Sequence, residues 1–479
     1  MASSTIHFSL LTIALLFVSC LSQSHPFILP IGKDPKTNLF YTSIGLGTPR
    51  HDMDLVIDLG GPFLWYDCDN HYNSSTYHPV PCESKRCPGD AVCTSCTSGP
   101  FKPGCSNNTC GAFLLNPFAD AIFSGDFGED VLSLSQPHTS LSGLIFGCTP
   151  AEGSSLLNNL NGKGILGLAR TQLALPTQLS LSNKLPRKFS LCVPSSNKKG
   201  LGSLFIGGAP HVSKLTLFTT PLVINPYSTA PIFTQGDPSY EYFIAAKSFK
   251  VDGRVLNFKS SLLSIDNKGN GGTKISTMNP FTVLHSAIFK PLIREFSKKA
   301  ADRKIRRVAP MAPFGVCFDF STIGRTITGL DVPIIELDLE GGVQWTIYGG
   351  NSMVLVNKKV ACLGFVDGGK EPKTSVVIGG HQLEDNLLEF DLVSSKLSFS
   401  SSLLLHNARY RMPSLNDANY HLWKGKMKYL IFVKKIKEGA SLLDHLNEFQ
   451  GILNQMSRMG IKFKDEILGL LLLNSLPES

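Results

Sequence analysis

Short apolar runs separated by turn-forming residues recur as far as about residue 400 and predict many short β-strands. Residues 40–44 form one such run before a Gly-Leu-Gly-Thr-Pro turn, and residues 53–58 alternate as the next strand. Within this part of the chain, helical spacing occurs only near residues 176–182 and 286–301. The composition agrees, because 43 Gly and 29 Pro with only 17% charged residues favour a mainly-β, turn-rich protein.

A degenerate internal repeat divides this β-rich part into two halves. The first half carries Val-Ile-Asp-Leu-Gly-Gly at residues 56–61 and Gly-Ile-Leu-Gly-Leu at residues 164–168. The second half carries Gly-Gly-Thr-Lys-Ile-Ser-Thr-Met at residues 271–278 and Val-Val-Ile-Gly-Gly at residues 376–380. Because the two pairs of motifs have similar spacing, we expect two lobes of similar construction.

The hydrophobic pattern changes after residue 408, where Lys and Leu become more frequent and Gly, Ser and Pro less so. Apolar residues at three- and four-residue steps predict an amphipathic helix over residues 442–459, and a second helix is expected over residues 464–473. Asp444 and Glu448 lie on the polar face of the first helix, which argues against a basic helix on a membrane surface.

The N-terminus has the pattern of a secretory signal peptide. Residues 1–24 contain no Asp, Glu, Lys or Arg, and residues 8–19 form an apolar run too short to span a bilayer well. We therefore expect secretion, with no membrane association after cleavage. In that compartment, Asn73 and Asn107 lie in acceptor sequons for N-glycosylation.

Charge and cysteine content exclude several classes. A net charge of +8 over 479 residues is weak evidence for nucleic-acid binding, and we expect no such partner. Eleven cysteines remain after Cys20 leaves with the signal peptide, and six of them lie between residues 82 and 110. No His lies between residues 79 and 137, so a disulfide-bonded loop is favoured over a metal site. We expect no metal and no cofactor.

The two-lobed pattern resembles the layout of a pepsin-type aspartic protease. Such proteolysis needs two carboxylates that share one proton, and each lobe supplies one from an Asp-Thr/Ser-Gly turn. Here the first turn keeps Asp58 but has Leu59 in place of a hydroxyl residue. The second turn is Ser-Thr-Met, with Ser276 at the position of the second Asp.

These departures predict a fold that has lost proteolysis, in which Asp58 and Ser276 are vestigial. Residues 267–283 contain no Asp or Glu, and residues 111–140 contain no Tyr to serve in a substrate-covering flap. A serine-hydrolase alternative based on Ser276 and His285 lacks the Gly-x-Ser-x-Gly turn that such enzymes use.

A more specific resemblance rests on four segments: residues 58–69, 271–283, 314–318 and 362–369. Together with the cysteine cluster, they closely resemble the plant extracellular dermal glycoprotein and basic 7S globulin family, which includes xylanase and xyloglucan-endoglucanase inhibitors. The resemblance covers about residues 27–406. It implies a bilobal pepsin-like fold that inhibits microbial cell-wall glycoside hydrolases in plant defence, outside the cell in the cell wall.

The resemblance also implies which residues contact the target. In the family, inhibitory contacts come from loops of the C-terminal lobe, and the positions that match are Arg325 and His406. A basic side chain there would pair with the two carboxylates of a glycosidase cleft. Because His406 stands where relatives often have Arg, we expect weaker inhibition that improves in acid.

Disulfide pairing follows from the same resemblance. It implies bridges between Cys317 and Cys362 and between Cys68 and Cys148, and a cluster that closes on itself. The cysteines of that cluster are Cys82, Cys87, Cys93, Cys96, Cys105 and Cys110. The usual partner of Cys192 lies in a C-terminal segment that this chain lacks, so Cys192 is expected to be a free thiol.

The tail resembles a fragment of the capsid (gag) polyprotein of copia-type retrotransposons, over about residues 409–479. The resemblance rests on residues 420–427, 443–450 and 453–477. No Cys-Cys-His-Cys zinc knuckle follows, so RNA packaging is not supported. The expected organisation is a signal peptide over residues 1–24, lobes over 25–215 and 216–407, and a gag-like helical tail over 408–479.

Three alternatives to an inhibitor remain open. A storage or peptide-binding globulin would use the same scaffold. An active aspartic endopeptidase would need a second carboxylate within about 4 Å of Asp58. A transposon-derived capsid function would depend on the tail alone.

Overall fold

The architecture consists mainly of short strands, as the sequence predicts. It is a computed structural model that describes residues 26–68, 72–88, 91–96, 101–117, 121–135, 138–149, 164–195, 202–209, 215–229 and 237–405. The chain divides into two units, residues 1–406 and residues 407–479, and all described residues belong to the first. The predicted signal peptide, His406 and the predicted gag-like tail lie outside the described residues.

The strands of the first half are β1 (Phe27–Lys33), β2 (Phe40–Leu46), β3 (His51–Asp58), β4 (Trp65–Asp67), β5 (His78–Pro79), β6 (Cys93–Thr94), β7 (Thr109–Asn116), β8 (Ala121–Ser135), β9 (His138–Thr149), β10 (Gly164–Gly167), β11 (Lys188–Cys192) and β12 (Gly202–Ile206). Those of the second half are β13 (Phe218–Val223), β14 (Phe243–Ile244), β15 (Ala246–Val251), β16 (Arg254–Val255), β17 (Thr273–Ile275), β18 (Thr282–Leu284), β19 (Arg307–Val308), β20 (Cys317–Asp319), β21 (Gly324–Thr326), β22 (Gly329–Asp331), β23 (Ile335–Leu339), β24 (Gln344–Ile347), β25 (Met353–Asn357), β26 (Val360–Leu363), β27 (Phe365–Asp367), β28 (Val376–Ile378), β29 (Leu387–Asp391) and β30 (Lys396–Phe399).

Helices are few and short, in agreement with the sequence. They are α1 (Leu175–Ser182), α2 (Ser286–Asp302), α3 (Gly349–Ser352) and α4 (Gly380–Leu383), with 3₁₀ turns at Ser260–Leu263 and Phe320–Thr322. The longest, α2, begins after His285, whose Nδ1 accepts a hydrogen bond from the Ala287 amide at 3.0 Å. Its buried positions recur at helical spacing and pack on the second-half sheets.

The internal repeat predicted from the sequence is confirmed in the strand pairing. In the first half, β3 pairs in parallel with β10, so that Ile57 lies opposite Leu166. In the second half, β17 pairs in parallel with β28, so that Ile275 lies opposite Ile378. A second parallel pair in each half also corresponds, because β4 pairs with β9 in the first half and β18 pairs with β27 in the second.

A continuous sheet joins the two halves. Strand β11 lies between β12 of the first half and β29 of the second. At that pairing, Phe189 stacks on Phe390 with ring centroids 4.8 Å apart, and Tyr242 packs against the same ring at 4.5 Å. These side chains belong to one hydrophobic core that extends through both halves.

Five disulfides are present among the described residues: Cys68–Cys148, Cys82–Cys93, Cys87–Cys110, Cys96–Cys105 and Cys317–Cys362. Three of them link the cysteine cluster only to itself, which is the arrangement that the resemblance implied. Cys192, at the end of β11, is the free cysteine of this part of the chain. Burial raises the pKa of its thiol to about 12.

Candidate functional site

The first turn of the repeat places Asp58 at the buried C-terminal end of β3. The Gly60 amide donates to Asp58 Oδ1 at 2.8 Å, and the amides of Gly61 and Leu168 donate to the Asp58 carbonyl. Asp58 itself is buried, and this burial raises the pKa of its carboxyl from 3.8 to about 6. The turn therefore holds a carboxyl group that takes up a proton in mildly acidic solution.

The second turn repeats the hydrogen bond from a backbone amide to the first side chain, without the acid. The Met278 amide donates to Ser276 Oγ at 3.1 Å, which matches the bond from Gly60 to Asp58. The Ser276 amide donates to the carbonyl of Ile378 on β28. Ser276 thus occupies the position equivalent to Asp58, and its hydroxyl fills the structural part of the carboxylate's role.

A single hydroxyl connects the two turns. Thr277 Oγ1 donates to the Ile57 carbonyl at 2.6 Å and accepts from the Leu59 amide at 3.1 Å. All three residues are buried. The equivalent position in the first turn is Leu59 itself, which has no hydroxyl to return the contact.

An ion pair lies next to Asp58, and the sequence analysis did not anticipate it. Lys274 Nζ lies 2.6 Å from Glu241 Oε1, and both side chains are largely buried. Glu241 Oε2 accepts hydrogen bonds from Thr229 and Ser239. Both oxygens of this carboxylate are therefore occupied.

The position of Gly60 sets an upper limit on the distance between the carboxyl groups of Asp58 and Glu241. A Cβ atom placed on Gly60 would lie 3.4 Å from Asp58 Oδ1 and 3.4 Å from Glu241 Oε1, so the two oxygens are at most twice that distance apart. The negative charge of Glu241 contributes to raising the pKa of Asp58, and Lys274 opposes it, although burial has the largest effect. The two carboxyl groups interact through their charges, while the Glu241 oxygens contact Lys274 and the two hydroxyls.

A signal for this ion pair exists in the sequence. Lys274 is the central residue of β17, between the buried residues Thr273 and Ile275. A cation in so buried a strand needs an anionic partner. The partner, Glu241, is 33 residues away and comes beside it because β14 pairs with β17, which the periodicity of the chain alone does not reveal.

Arg325 lies far along the chain from this centre, on a two-stranded hairpin formed by β21 and β22. Its side chain is exposed, and its guanidinium carbon lies 5.5 Å from the centroid of the Phe320 ring. The hairpin is anchored at its turn, where the Gly350 amide donates to the Thr328 carbonyl at 2.8 Å. A cavity of about 280 Å³ opens beside Arg325 and is lined in part by Phe320, Leu330 and Leu355.

The remaining predicted site residues are placed as follows. The sequon residues Asn73 and Asn107 are both exposed. Over the described ranges, no group of three or more His, Cys, Asp or Glu side chains could hold a metal ion. The same ranges contain no helix of sufficient length and apolarity for a membrane span.

Comparison with known proteins gives matches along both halves. The family model described as xylanase inhibitor N-terminal matches residues 40–208, and the one described as xylanase inhibitor C-terminal matches residues 241–401. A protein named probable aspartic proteinase GIP2, from Nicotiana benthamiana, is 43% identical over 433 residues, which cover 84% of this chain and 97% of that protein.

Solved structures give the same result. The crystal structure titled EDGP is 44% identical, with a TM-score of 0.76, and covers 80% of this chain and 96% of the other. The crystal structure of basic 7S globulin from soybean is 30% identical, with a TM-score of 0.68, and covers 80% and 98%. The family models end at residue 401 and assign nothing to the tail. With its repeated strand pairs and paired turns, this chain belongs to the xylanase-inhibitor family and has the bilobal pepsin-like fold.

Proposed function

We propose that this protein is a secreted, proteolytically inactive pepsin-fold protein that binds and inhibits microbial cell-wall glycoside hydrolases. The observation that carries the proposal is the exposed guanidinium of Arg325, which lies over Phe320 on a hairpin whose turn is anchored by a hydrogen bond. The proposed targets are xylanases or xyloglucan-specific endoglucanases, because the family is that of the xylanase inhibitors.

Loss of proteolysis is supported by the two turns. Aspartic proteolysis requires two carboxyl groups that share one proton, and Ser276 offers only a hydroxyl, which does not ionise at ordinary pH. Glu241 does not replace the missing acid, because Lys274, Thr229 and Ser239 occupy its oxygens. Asp58 then has no partner with which to hold and polarise a water molecule.

Inhibition is supported by the chemistry of Arg325. A glycosidase cleft contains two carboxyl groups, one on each side of the scissile bond. A guanidinium can form two parallel hydrogen bonds with a carboxylate, and such charge-assisted bonds are strong. Because the Phe320 ring already limits the motion of the side chain, less conformational entropy is lost when Arg325 enters the cleft.

We assign the second contact to His406, which lies outside the described residues. An imidazole has an ordinary pKa near 6.5 and carries a positive charge mainly below that pH. Inhibition is therefore stronger at pH 5 than at pH 7.5, and His406→Arg raises the potency at pH 7.5.

The site of action is outside the cell. Five disulfides among the described residues are typical of proteins from an oxidising compartment, and the exposed positions of Asn73 and Asn107 suit N-glycosylation. No function is assigned to the gag-like tail.

A panel of purified fungal xylanases and xyloglucan-specific endoglucanases tests the proposal. The full-length protein is expected to inhibit at least one of them, and Arg325→Ala is expected to weaken that inhibition about 100-fold. Arg50→Ala is the matched control, because this exposed arginine of the first half instead pairs with Asp52. Inhibition by wild type that is unchanged in Arg325→Ala would refute the role of Arg325.

Proteolysis is tested separately with unfolded casein between pH 3 and pH 6. We expect no cleavage above background, and no change in Asp58→Asn. Cleavage that disappears in Asp58→Asn would instead establish an aspartic peptidase, the activity that the name of the Nicotiana benthamiana relative indicates.

A storage or peptide-binding globulin is the second candidate. It is favoured by the 30% identity to basic 7S globulin from soybean over nearly all of that chain. Failure to inhibit any hydrolase of the panel, together with accumulation of the protein in seeds, would support this candidate.

A further inference from the structure

Four exposed apolar side chains lie on the Arg325 hairpin or on the segments near it. Met311, Ile327, Leu355 and Val356 are all exposed, and we call these four residues the apolar centre. Leu355 lines the cavity beside Arg325, and Ile327 lies in the loop between β21 and β22. Met311 lies beside the end of β25, since the Asn357 amide contacts its sulfur at 3.8 Å. An exposed apolar group of this kind marks an interaction site.

Exposed cations flank the apolar centre. We call Lys304, Arg307, Lys358 and Lys359 the basic rim. Lys359 adjoins the ring that supports Arg325, because its carbonyl accepts from the Phe320 amide at 2.9 Å. Arg307 lies opposite Phe318 where β19 pairs with β20.

The segment that carries Lys304 and Arg307 is held by hydrogen bonds to the residues on either side of Phe320, the ring that supports Arg325. The Arg306 amide donates to Thr322 Oγ1 at 3.0 Å, and the Asp319 amide donates to the Arg306 carbonyl at 2.8 Å. Phe320, which supports Arg325, lies between Asp319 and Thr322 in the chain.

The positive charge of the rim is not neutralised locally. Two of the three nearby acids, Asp319 and Asp331, are engaged by other cations, Arg306 and Arg303 respectively. The third, Asp302, is exposed at the end of α2. None of the four rim cations forms an ion pair with any residue in the described part of the chain, so the rim keeps an excess of positive charge.

We infer that this face docks a protein whose cleft is surrounded by acidic side chains, and that the basic rim accelerates association whereas Arg325 and the apolar centre slow dissociation. The inference rests on the proposed function, because the acidic cleft is that of a glycoside hydrolase. Exposed charges around an interface attract the partner over a distance and raise the association rate by about 10- to 1000-fold. Groups buried at the centre act mainly on the dissociation rate.

A protein fits this face better than a polyanion does. A binding site for an acidic polysaccharide needs charges and polar contacts, and exposed apolar side chains contribute nothing to it. An apolar centre beside a cavity, surrounded by a polar rim, is the common anatomy of a protein–protein interface. The cavity of about 280 Å³ can receive a side chain of the partner.

Association kinetics test the inference with full-length protein and the hydrolase inhibited most strongly in the panel. The rim variant carries Lys304→Gln, Arg307→Gln, Lys358→Gln and Lys359→Gln. A control variant removes the same charge from exposed positions elsewhere, with Lys36→Gln, Lys85→Gln, Lys184→Gln and Lys396→Gln. Association and dissociation rates are measured by surface plasmon resonance at several salt concentrations.

At low salt the rim variant is expected to associate at least 10-fold more slowly than wild type, with a weaker salt dependence and a dissociation rate changed less than about 3-fold. The control variant is expected to associate at nearly the wild-type rate, and Arg325→Ala is expected to act on dissociation. An unchanged association rate in the rim variant, with inhibition intact, overturns the inference and leaves the proposed function standing.

Two further outcomes also contradict the inference. Binding to polygalacturonate that the rim variant loses, with hydrolase association unaffected, would assign the face to a polyanion. Absence of binding by wild type to every hydrolase would refute the proposed function and the inference together.

Discussion

The two turns at the centre of the molecule carry different polar side chains at equivalent positions. The first turn has an acid, Asp58, followed by the apolar Leu59. The second turn has Ser276 at the position of Asp58, followed by the hydroxyl residue Thr277. In both turns a backbone amide donates to the side chain at the first position, Asp58 or Ser276. The comparison shows that the geometry of the turns depends on backbone amides and one hydroxyl, and does not require the pair of acids.

The largest effect should come from the hydroxyl that connects the turns. Thr277→Val keeps the shape of the side chain but leaves the Leu59 amide and the Ile57 carbonyl buried without partners. We expect a loss of about 4 kcal/mol in the free energy of unfolding, at about 2 kcal/mol for each group. Urea denaturation measures this loss.

Thr277→Ser is the control for that prediction, because it keeps the hydroxyl and removes only a methyl group. Its loss should be about 1 kcal/mol. Equal losses in the two variants would mean that packing of the methyl group, and not the hydroxyl, connects the turns.

The next effect concerns the acid that remains. The pKa of Asp58 in the folded protein, about 6, lies above the ordinary value of 3.8, so the folded state binds the proton more tightly than the unfolded chain. The free energy of unfolding should therefore decrease as the pH rises from 3.8 to 6, and the full decrease should be present above pH 6. Asp58→Asn should abolish this decrease.

We expect Asp58→Asn to be more stable than wild type by about 3 kcal/mol at pH 7.5 and equally stable at pH 3.5. Thermal denaturation across this pH range measures the difference. A variant that is less stable than wild type at pH 7.5 would contradict the conclusion that the buried, ionised carboxylate of Asp58 destabilises the folded protein.

The smallest effects should come from the ion pair beside Asp58. Removing the negative charge with Glu241→Gln should lower the pKa of Asp58, and removing the positive charge with Lys274→Met should raise it. We expect shifts of opposite sign, each below about one pH unit. In each background, the free energy of unfolding is measured against pH with and without Asp58→Asn. The pH at which the difference between the two curves is changing most steeply reports the pKa of Asp58. Shifts of the same sign would show that lost packing dominates.

Much of the fold followed from short-range features of the sequence. The alternating strands, helix α2 and the repeated motifs of both halves were predicted, because periodicity and turn residues record local structure directly. The disulfides found within the cysteine cluster agree with the resemblance to a known family.

The missed features all depend on contacts between distant residues. Glu241 reaches Lys274 only because two strands pair, and Phe320 supports Arg325 only because the chain turns between β20 and β21. Burial of Asp58, which sets its pKa, is likewise a property of the assembled lobes. A motif identifies which residue types are present, whereas the chemical state of a side chain depends on its neighbours in space.

The free thiol of Cys192 makes the connection between the halves measurable without any added label. It ends β11, the strand that pairs with both β12 and β29. The residue is partly exposed, but burial raises the pKa of its thiol to about 12, so an alkylating reagent at pH 8 reacts slowly until that strand separates from its neighbours. The rate of Cys192 alkylation, followed by mass spectrometry, would then report how fast β11 separates from β12 and β29, the strands through which the two halves are connected.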